Sequence, residues 1–103
     1  MTADAPLPDP AWGAALLEVR TQIADYEREG TSTPGKLKRA ARLRASRLAL
    51  RDFAASHAAA VARLKAACNE IERADKDDNW RKVAELVQAM LAELDGMIGT
   101  GRV

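Results

Sequence analysis

Two side chains of this sequence have the chemistry of a nucleophilic catalytic site, the single cysteine, Cys68, and the single histidine, His57. A cysteine nucleophile needs a base within hydrogen-bonding distance. On one continuous helix, the eleven positions between these two residues correspond to about 16 Å. Both also fall on an apolar helix face, where a buried inert thiol and a core or interface imidazole are expected. The sequence therefore predicts no catalytic residue and no enzyme.

The sequence also lacks the residue patterns of metal sites and phosphate sites. The positions one helical turn from His57 hold no carboxylate, so no helical pair of metal ligands is present. The acidic run 75–79 lacks the alternating ligands, the turn glycine and the closing glutamate of a calcium loop. The glycines stand singly at the ends of elements, except in the tail 99–101, so no phosphate-binding loop is formed. We expect no metal, no cofactor and no small-molecule substrate.

Residues 36–51 form a basic segment, with seven basic and no acidic side chains. Residues 1–35 hold two basic and six acidic side chains, and the whole chain has a net charge of +1. An antiparallel hairpin would place the acidic end of a first helix beside this basic segment, so internal ion pairs are one explanation. An anionic partner is the other. The candidate contacts to that partner are Lys36, Lys38, Arg39, Arg42, Arg44, Arg47 and Arg51.

A helical wheel divides these seven side chains into two sectors. Lys36, Arg44, Arg47 and Arg51 share one sector; the other sector holds Lys38, Arg39 and Arg42. No single face suited to a nucleic-acid groove results. The segment also lacks Asn or Gln to read base edges and aromatic rings to stack on bases. Nucleic acid is therefore the alternative partner rather than the favoured one.

The composition indicates which elements must position these residues. Hydrophobic residues make up 48% of the 103, but aromatic residues only 4%. Alanine, leucine, arginine, glutamate and lysine dominate, which is typical of long helices and not of sheets. One chain of 11.1 kDa has room for a single domain. The sequence predicts an all-α protein.

Start and stop signals divide the chain into three helices. Pro10 suits a first helical turn, and Gly30 predicts the end of that helix. Pro34 opens a second helix of about forty residues, or ~60 Å, that no later glycine or proline interrupts. The polar run 74–79 predicts a turn before the third. We expect a helical domain over 9–98, with helices at about 9–29, 34–73 and 78–97, and flexible tails at 1–8 and 99–103.

The long helix carries two apolar stripes. Its main stripe steps by three and four residues from Leu43 to Ile71, as in a coiled coil. A second stripe of small residues runs along another face. Its members are Leu37, Ala41, Ala45, Leu48, Ala55, Ala59, Ala62 and Ala66. Since each apolar stripe needs a surface to pack on, the long helix needs two packing partners.

The helix lengths predict a three-helix antiparallel arrangement that completes a four-helix bundle by dimerisation. The two short helices would share the length of the long one end to end, which leaves apolar surface for a second copy. The competing architecture breaks the long helix near Ser56 and His57 into a monomeric bundle of four short helices, but no glycine or proline encodes that break. The candidate dimer or partner interface comprises Trp12, Leu43, Leu50, Phe53, His57, Val61, Leu64, Trp80 and Met97.

These features favour a non-enzymatic helical protein–protein interaction module, such as a scaffold, adaptor, small chaperone or inhibitor. It would act through self-association as a homodimer and through an apolar helix face. The alternative is an architectural or regulatory nucleic-acid binder that uses residues 36–51. The uncharged stretch 53–62 is too short to cross a bilayer, so no membrane role is expected. The single cysteine and the lack of a secretory leader favour the cytoplasm.

Overall fold

The computed structural model of the protein describes residues 10–30 and 33–99. Within them the chain forms four α-helices and no β-strand, which confirms the all-α class. The expected tail at 1–8 and residues 100–103 of the other tail lie outside the described part. The helices are α1 Pro10–Arg28, α2 Thr33–Arg51, α3 Ala58–Lys76 and α4 Trp80–Gly99.

The expectation of three helices with one long helix over 34–73 is wrong, because the chain bends between α2 and α3. The bend, residues 52–57, contains neither glycine nor proline. Phe53 and His57 lie half-buried in it, against Trp12 at the start of α1. Bending lets α3 bury its stripe on the core that α2 also contacts, and this tertiary burial outweighs the local preference for a continuous helix. The fold has the four short helices of the competing architecture.

The helices pack in a ring, in which α1 contacts α2 and α4, and α3 contacts the same two helices. Because the connections are short, successive helices run antiparallel, as in an up-down-up-down bundle. Each end of the bundle therefore combines two helix starts with two helix ends. None of the four described helices is long and apolar enough to cross a membrane.

The core consists of the heptad-spaced apolar residues facing the axis of this ring. Each helix contributes one stripe, and the stripe of α4 is the most regular. A single chain thus builds a four-helix cross-section without a second copy. The largest fully buried side chains are Trp12, Leu16, Val19, Ile23, Tyr26, Leu50, Leu64, Ile71, Val83, Val87, Met90 and Leu94.

Two connections follow from local chemistry. Gly30 ends α1 with a φ of 75°, a conformation that glycine adopts without steric penalty. Gly35, which weakens the first turn of α2, is explained by a close approach: a side chain there would collide with the carbonyl oxygens of Glu29 and Gly30. Before α4, the side chain of Asn79 accepts a hydrogen bond from the amide of Lys82, which caps the helix start.

Candidate functional site

Arg39, one of the seven predicted contacts to an anionic partner, is buried inside the chain. Its Nε lies 2.8 Å and its Nη2 3.2 Å from the two carboxylate oxygens of Asp75. Nη1 donates to the carbonyl of Gly30, and the guanidinium lies 4.6 Å from the ring centre of Trp80. The hydroxyl of Tyr26 donates to the same Asp75 carboxylate. We call this cluster the polar end of the bundle.

The ion pair at the polar end shifts the titration of its members. Burial acts to raise the pKa of Asp75, but hydrogen bonds from Arg39 and Tyr26 outweigh it and hold the pKa below its ordinary value. Burial and the nearby Asp75 carboxylate raise the pKa of Tyr26 above that of a free tyrosine. At neutral pH, Asp75 is charged and Tyr26 is protonated. The positive charge of Arg39 is therefore paired within the chain and does not face a partner.

Two further arginines of α2 are also paired within the chain. Arg42 lies 2.8 Å from the carboxylate of Glu29 and 3.6 Å from that of Asp25, both near the end of α1. Arg47 lies 2.9 Å from Glu72 on α3. The acidic end of α1 therefore does pair with the basic start of α2, as the internal explanation predicts, but α3 supplies carboxylates as well. Ion pairs within the chain therefore account for part of the positive charge of residues 36–51.

Two of the remaining basic residues of α2 line a groove between α2 and α3. The groove has a volume of about 390 Å³. Arg44 and Arg51 line it from α2, and Lys65 lines it from α3. Arg44 is exposed and makes no ion pair within the described residues, whereas the exposed Arg51 has only its neighbour Asp52, at 3.5 Å. Arg47, Leu48, Ala40 and Glu72 complete the lining. We call this surface the cationic groove.

The cationic groove contains three of the four residues that the helical wheel placed in one sector. The fourth, Lys36, lies nearer the start of α2 and, with Lys76, lines a smaller cavity of about 90 Å³. Lys38, from the other sector, is exposed and has no ion pair to any described residue. Sequence reasoning missed Lys65, because only the bend after α2 brings α3 alongside it.

An exposed mixed stripe on α2 borders the cationic groove. Leu37, Ala41, Arg44, Leu48 and Arg51 are all exposed and step by four and three residues, which is a heptad pattern. Leu37 and Leu48 are 75% and 54% exposed, unusually high values for leucine. These leucines belong to the second apolar stripe, and they remain uncovered in the folded chain. α2 thus presents apolar and basic positions in turn to solvent.

The opposite end of the bundle, which we call the aromatic end, holds Trp12, Phe53 and His57. The rings of Trp12 and His57 are stacked, 4.3 Å apart and 6° from parallel. The ring of Phe53 lies 5.3 Å from that of Trp12. The indole N–H of Trp12 is buried and donates no hydrogen bond within the described structure. His57 therefore packs on an aromatic ring.

Cys68, the other candidate for catalysis, is buried in the core. Burial raises the pKa of its thiol to about 11, so the nucleophilic thiolate is scarce at neutral pH. In the acidic run, Asp75 is held by Arg39 while Asp77 and Asp78 form a turn. Among residues 10–30 and 33–99, no three His, Cys, Asp or Glu side chains are grouped so that they could hold a metal ion.

The residues predicted to form a dimer or partner interface lie mostly inside this one chain. Phe53, His57 and Trp80 are half-buried. The other six, Trp12, Leu43, Leu50, Val61, Leu64 and Met97, are buried. In the folded chain they contact its own helices. The large apolar side chains that stay exposed in the described residues are Leu37 and Leu48 on α2 and Leu17 on α1. No family model matches the sequence, and no curated protein or solved structure is significantly similar to it.

Proposed function

We propose that this chain is a helical protein-interaction module that binds an acidic amphipathic helix of another protein. The partner would lie along the exposed stripe of α2, over the cationic groove. The observation that carries the proposal is the exposed leucine of α2 beside Arg44 and Lys65, which have no ion pair within the described residues, and Arg51, which pairs only with its exposed neighbour Asp52. A scaffold, adaptor, chaperone or inhibitor would use such a surface in the same way.

The charges in the cationic groove suit carboxylates. The single carboxylate lining it, Glu72, is already 2.9 Å from Arg47. Arg44 and Arg51 are seven residues apart, or about 10 Å along the helix, so they match acidic side chains two turns apart on a partner helix. The planar guanidinium binds a carboxylate through two parallel hydrogen bonds, which favours arginine at such positions.

The apolar positions of the stripe favour a helix as the partner. Leu37 and Leu48 are exposed at positions that a coiled-coil neighbour would cover. Their burial against leucine or alanine of a partner would contribute hydrophobic stabilisation, which charge alone does not. A partner with acidic and apolar residues at heptad spacing satisfies both requirements.

A phosphate backbone fits this surface less well than an acidic helix. Nucleic-acid-binding domains are usually strongly basic, whereas this chain has an isoelectric point near 7.9. Exposed Leu48 lies within the groove, where a phosphate would meet an apolar group that an amphipathic helix could cover. The lining of the groove also contains no aromatic ring for stacking on bases.

We propose a binding function for this chain and no catalytic role for His57 or Cys68. His57 is stacked on Trp12 and Cys68 is a buried thiol, so neither is arranged as a nucleophile with its base. A single buried cysteine is compatible with action in the reducing cytoplasm. Self-association as a homodimer remains part of the proposal.

The test is a fluorescence anisotropy titration of the full chain. The probes are a synthetic amphipathic peptide with leucine and glutamate at heptad positions and a short DNA duplex. Reversing the charge of Arg44, Arg51 and Lys65 to glutamate should weaken peptide binding by about thirtyfold, because three attractive pairs become repulsive. Binding of the wild-type chain to the duplex, with a steep salt dependence and no peptide binding, would contradict the proposal and favour the nucleic-acid alternative.

A matched control separates the groove from net charge. Lys38, Arg81 and Lys82 are exposed basic residues outside the cationic groove, and none of their side chains has an ion pair within the described structure. Their replacement by glutamate changes the net charge by the same amount. The control variant should bind the peptide like the wild type once salt screens long-range charge. Equal weakening in both variants would contradict a specific groove.

A further inference from the structure

The bend between α2 and α3 contains neither glycine nor proline, the residues that most often interrupt a helix. His57, which precedes α3, has backbone angles of −130° and 47°, outside the helical region, and its side chain makes no capping hydrogen bond. The residues before it still make helix-like bonds, since the amide of His57 donates to the carbonyl of Phe53 at 2.9 Å. Rotation of His57 into the helical region is therefore one change that joining α2 to α3 requires.

The bend interrupts the helical hydrogen bonds. Phe53 and Ala54 donate to carbonyls three residues earlier, and no backbone acceptor is found for the amides of Ala55 and Ser56 within the described structure. In a continuous helix each would donate to the carbonyl four residues earlier. Local interactions therefore favour the straight form, and the bent form depends on packing of α3 and α4 against α1 and α2.

We propose that this chain forms a domain-swapped homodimer, in which the bend straightens and α2 and α3 become one helix. That helix would run from Thr33 to Lys76, about 66 Å at the standard rise. The α3–α4 hairpin of each copy would pack on the α1–α2 hairpin of the other. The partner in this exchange is thus a second copy of the chain, and the inference does not depend on an acidic partner helix.

The swapped dimer uses the same packing surfaces as the single chain. In the folded chain, α1 contacts α4 and α2 contacts α3. After the exchange the same helix pairs meet between the two copies, so the core is rebuilt without a new interface. Most residues that the sequence indicated as a dimer interface, Leu43, Leu50, Val61 and Leu64 among them, would then lie between two chains.

The centre of the dimer is the place where the two long helices come closest. The bend and the start of α3 carry exposed alanines there, at positions 54, 55, 58 and 59. Alanine has no side chain beyond Cβ, so two helices can approach each other closely at this point. In the single folded chain these alanines are exposed, whereas in a swapped dimer they would pack where the two long helices cross.

The first test compares two substitutions with opposite effects on the straight form. Ala58→Pro places proline at the first position of α3, where the bent chain needs no N–H, but it breaks a continuous helix. It should weaken dimerisation by about a thousandfold or more, since each dimer contains two such sites. Ser56→Ala should strengthen it by about fivefold because alanine favours the helix. Light scattering after refolding over a wide concentration range measures both.

The second test distinguishes exchange from simple association. Lys36 and Lys76 line one cavity in the bent chain, so labels at both positions are close together. In the straight form they are forty residues apart, or about 60 Å. A small fraction of Lys36→Cys, Lys76→Cys chains carrying nitroxide labels, refolded with excess wild-type chain, reports the distance within one chain by pulsed electron spin resonance.

A long distance in the dimer fraction, lost in the Ala58→Pro variant, is the expected result. Circular dichroism and thermal unfolding of that variant establish that its monomer is folded. A short distance in every dimer would overturn the proposal, as would a wild-type chain that stays monomeric throughout. A dimer of unchanged affinity in a folded Ala58→Pro variant would also overturn it.

Discussion

At the polar end of the bundle, buried hydrogen-bond donors are paired with a charged acceptor. Arg39 and Asp75 form two hydrogen bonds, and Tyr26 adds a third. At the aromatic end, Trp12 packs on Phe53 and His57, and its indole N–H has no described acceptor. The polar end therefore depends on matched charge and hydrogen bonding, whereas the aromatic end depends on apolar contact. The difference matters because the bend between α2 and α3 lies at the aromatic end.

The two ends of the bundle differ in what the proposed exchange would require of them. A buried ion pair fixes one arrangement of its helices, since separating it leaves a charge without a partner in the interior. Stacked rings have less directional requirements and can pack again in a new arrangement. The turn between α3 and α4, at the polar end, includes Asp78 with a φ of 55° and the Asn79 cap, both specific to a turn. The α2–α3 bend has neither feature.

The largest expected effect is that of Trp12→Ala. Trp12 is 1% exposed, and removing its ring leaves a cavity against Phe53 and His57. We expect the free energy of unfolding to fall by about 4 kcal/mol. Urea denaturation followed by circular dichroism measures the change. Trp12→Phe, which removes the unpaired N–H and keeps a ring, should lose less than half as much. Equal losses in the two variants would mean that the N–H has an acceptor.

Removing one charge from the polar end should have the next largest effect. In Asp75→Asn the guanidinium of Arg39, whose side chain is 4% exposed, loses its counter-charge, and we expect a loss of about 3 kcal/mol in denaturant unfolding. A double variant, Arg39→Met with Asp75→Leu, should recover most of that loss because no charge stays buried. Failure to recover would indicate that the pair contributes net stability.

An exposed ion pair provides the control for this comparison. Arg20 and Asp95 also form an ion pair between two helices, but their side chains are 40% and 54% exposed. Water solvates each charge when the other is removed. Asp95→Asn should therefore leave the denaturation midpoint nearly unchanged. A large shift would show that exposure does not separate the two pairs.

Much of the fold could be predicted from the sequence because it follows from local signals. Heptad spacing indicated the buried faces of α1 and α4, and both helices begin and end within two residues of the expected positions. The acidic end of α1 and the basic start of α2 indicated the pairing of Arg42 with Glu29. Each of these features depends on residues close together in the sequence.

The bend was predicted only as the competing architecture, because no glycine or proline encodes it. Residues 52–57 favour a helix, and only packing of distant stripes opposes that preference. The same limit applies to the candidate site. The sequence could not indicate that Arg39 pairs with Asp75, 36 residues away, whereas Arg44 has no described carboxylate partner. The exposed leucines of α2 were visible as a stripe, but the folded chain was needed to show that no helix covers them.

A smaller effect than those of Trp12→Ala and Asp75→Asn concerns the hydroxyl of Tyr26, the only tyrosine of the chain. Tyr26→Phe removes one hydrogen bond to a charged acceptor, so we expect a loss of about 1.5 kcal/mol at neutral pH. The pKa of Tyr26 is raised by burial and by Asp75. Its contribution is therefore fully present below the pKa of about 10 in the unfolded chain. It is lost as the pH rises through the higher pKa of the folded chain.

Alkaline titration tests this directly, because the ultraviolet absorbance of phenolate reports Tyr26 alone. In the wild type, phenolate should form only at pH values above those of free tyrosine, or together with unfolding followed by circular dichroism. In folded Asp75→Asn the titration should move toward the ordinary value, since the neutral amide no longer opposes the phenolate charge. In Trp12→Phe it should stay where it is in the wild type, because the aromatic end has no contact with Tyr26. A shift in that variant would show that the two ends are coupled through the length of the bundle, and the polar end would then not be the independent fixed point that allows the other end to open.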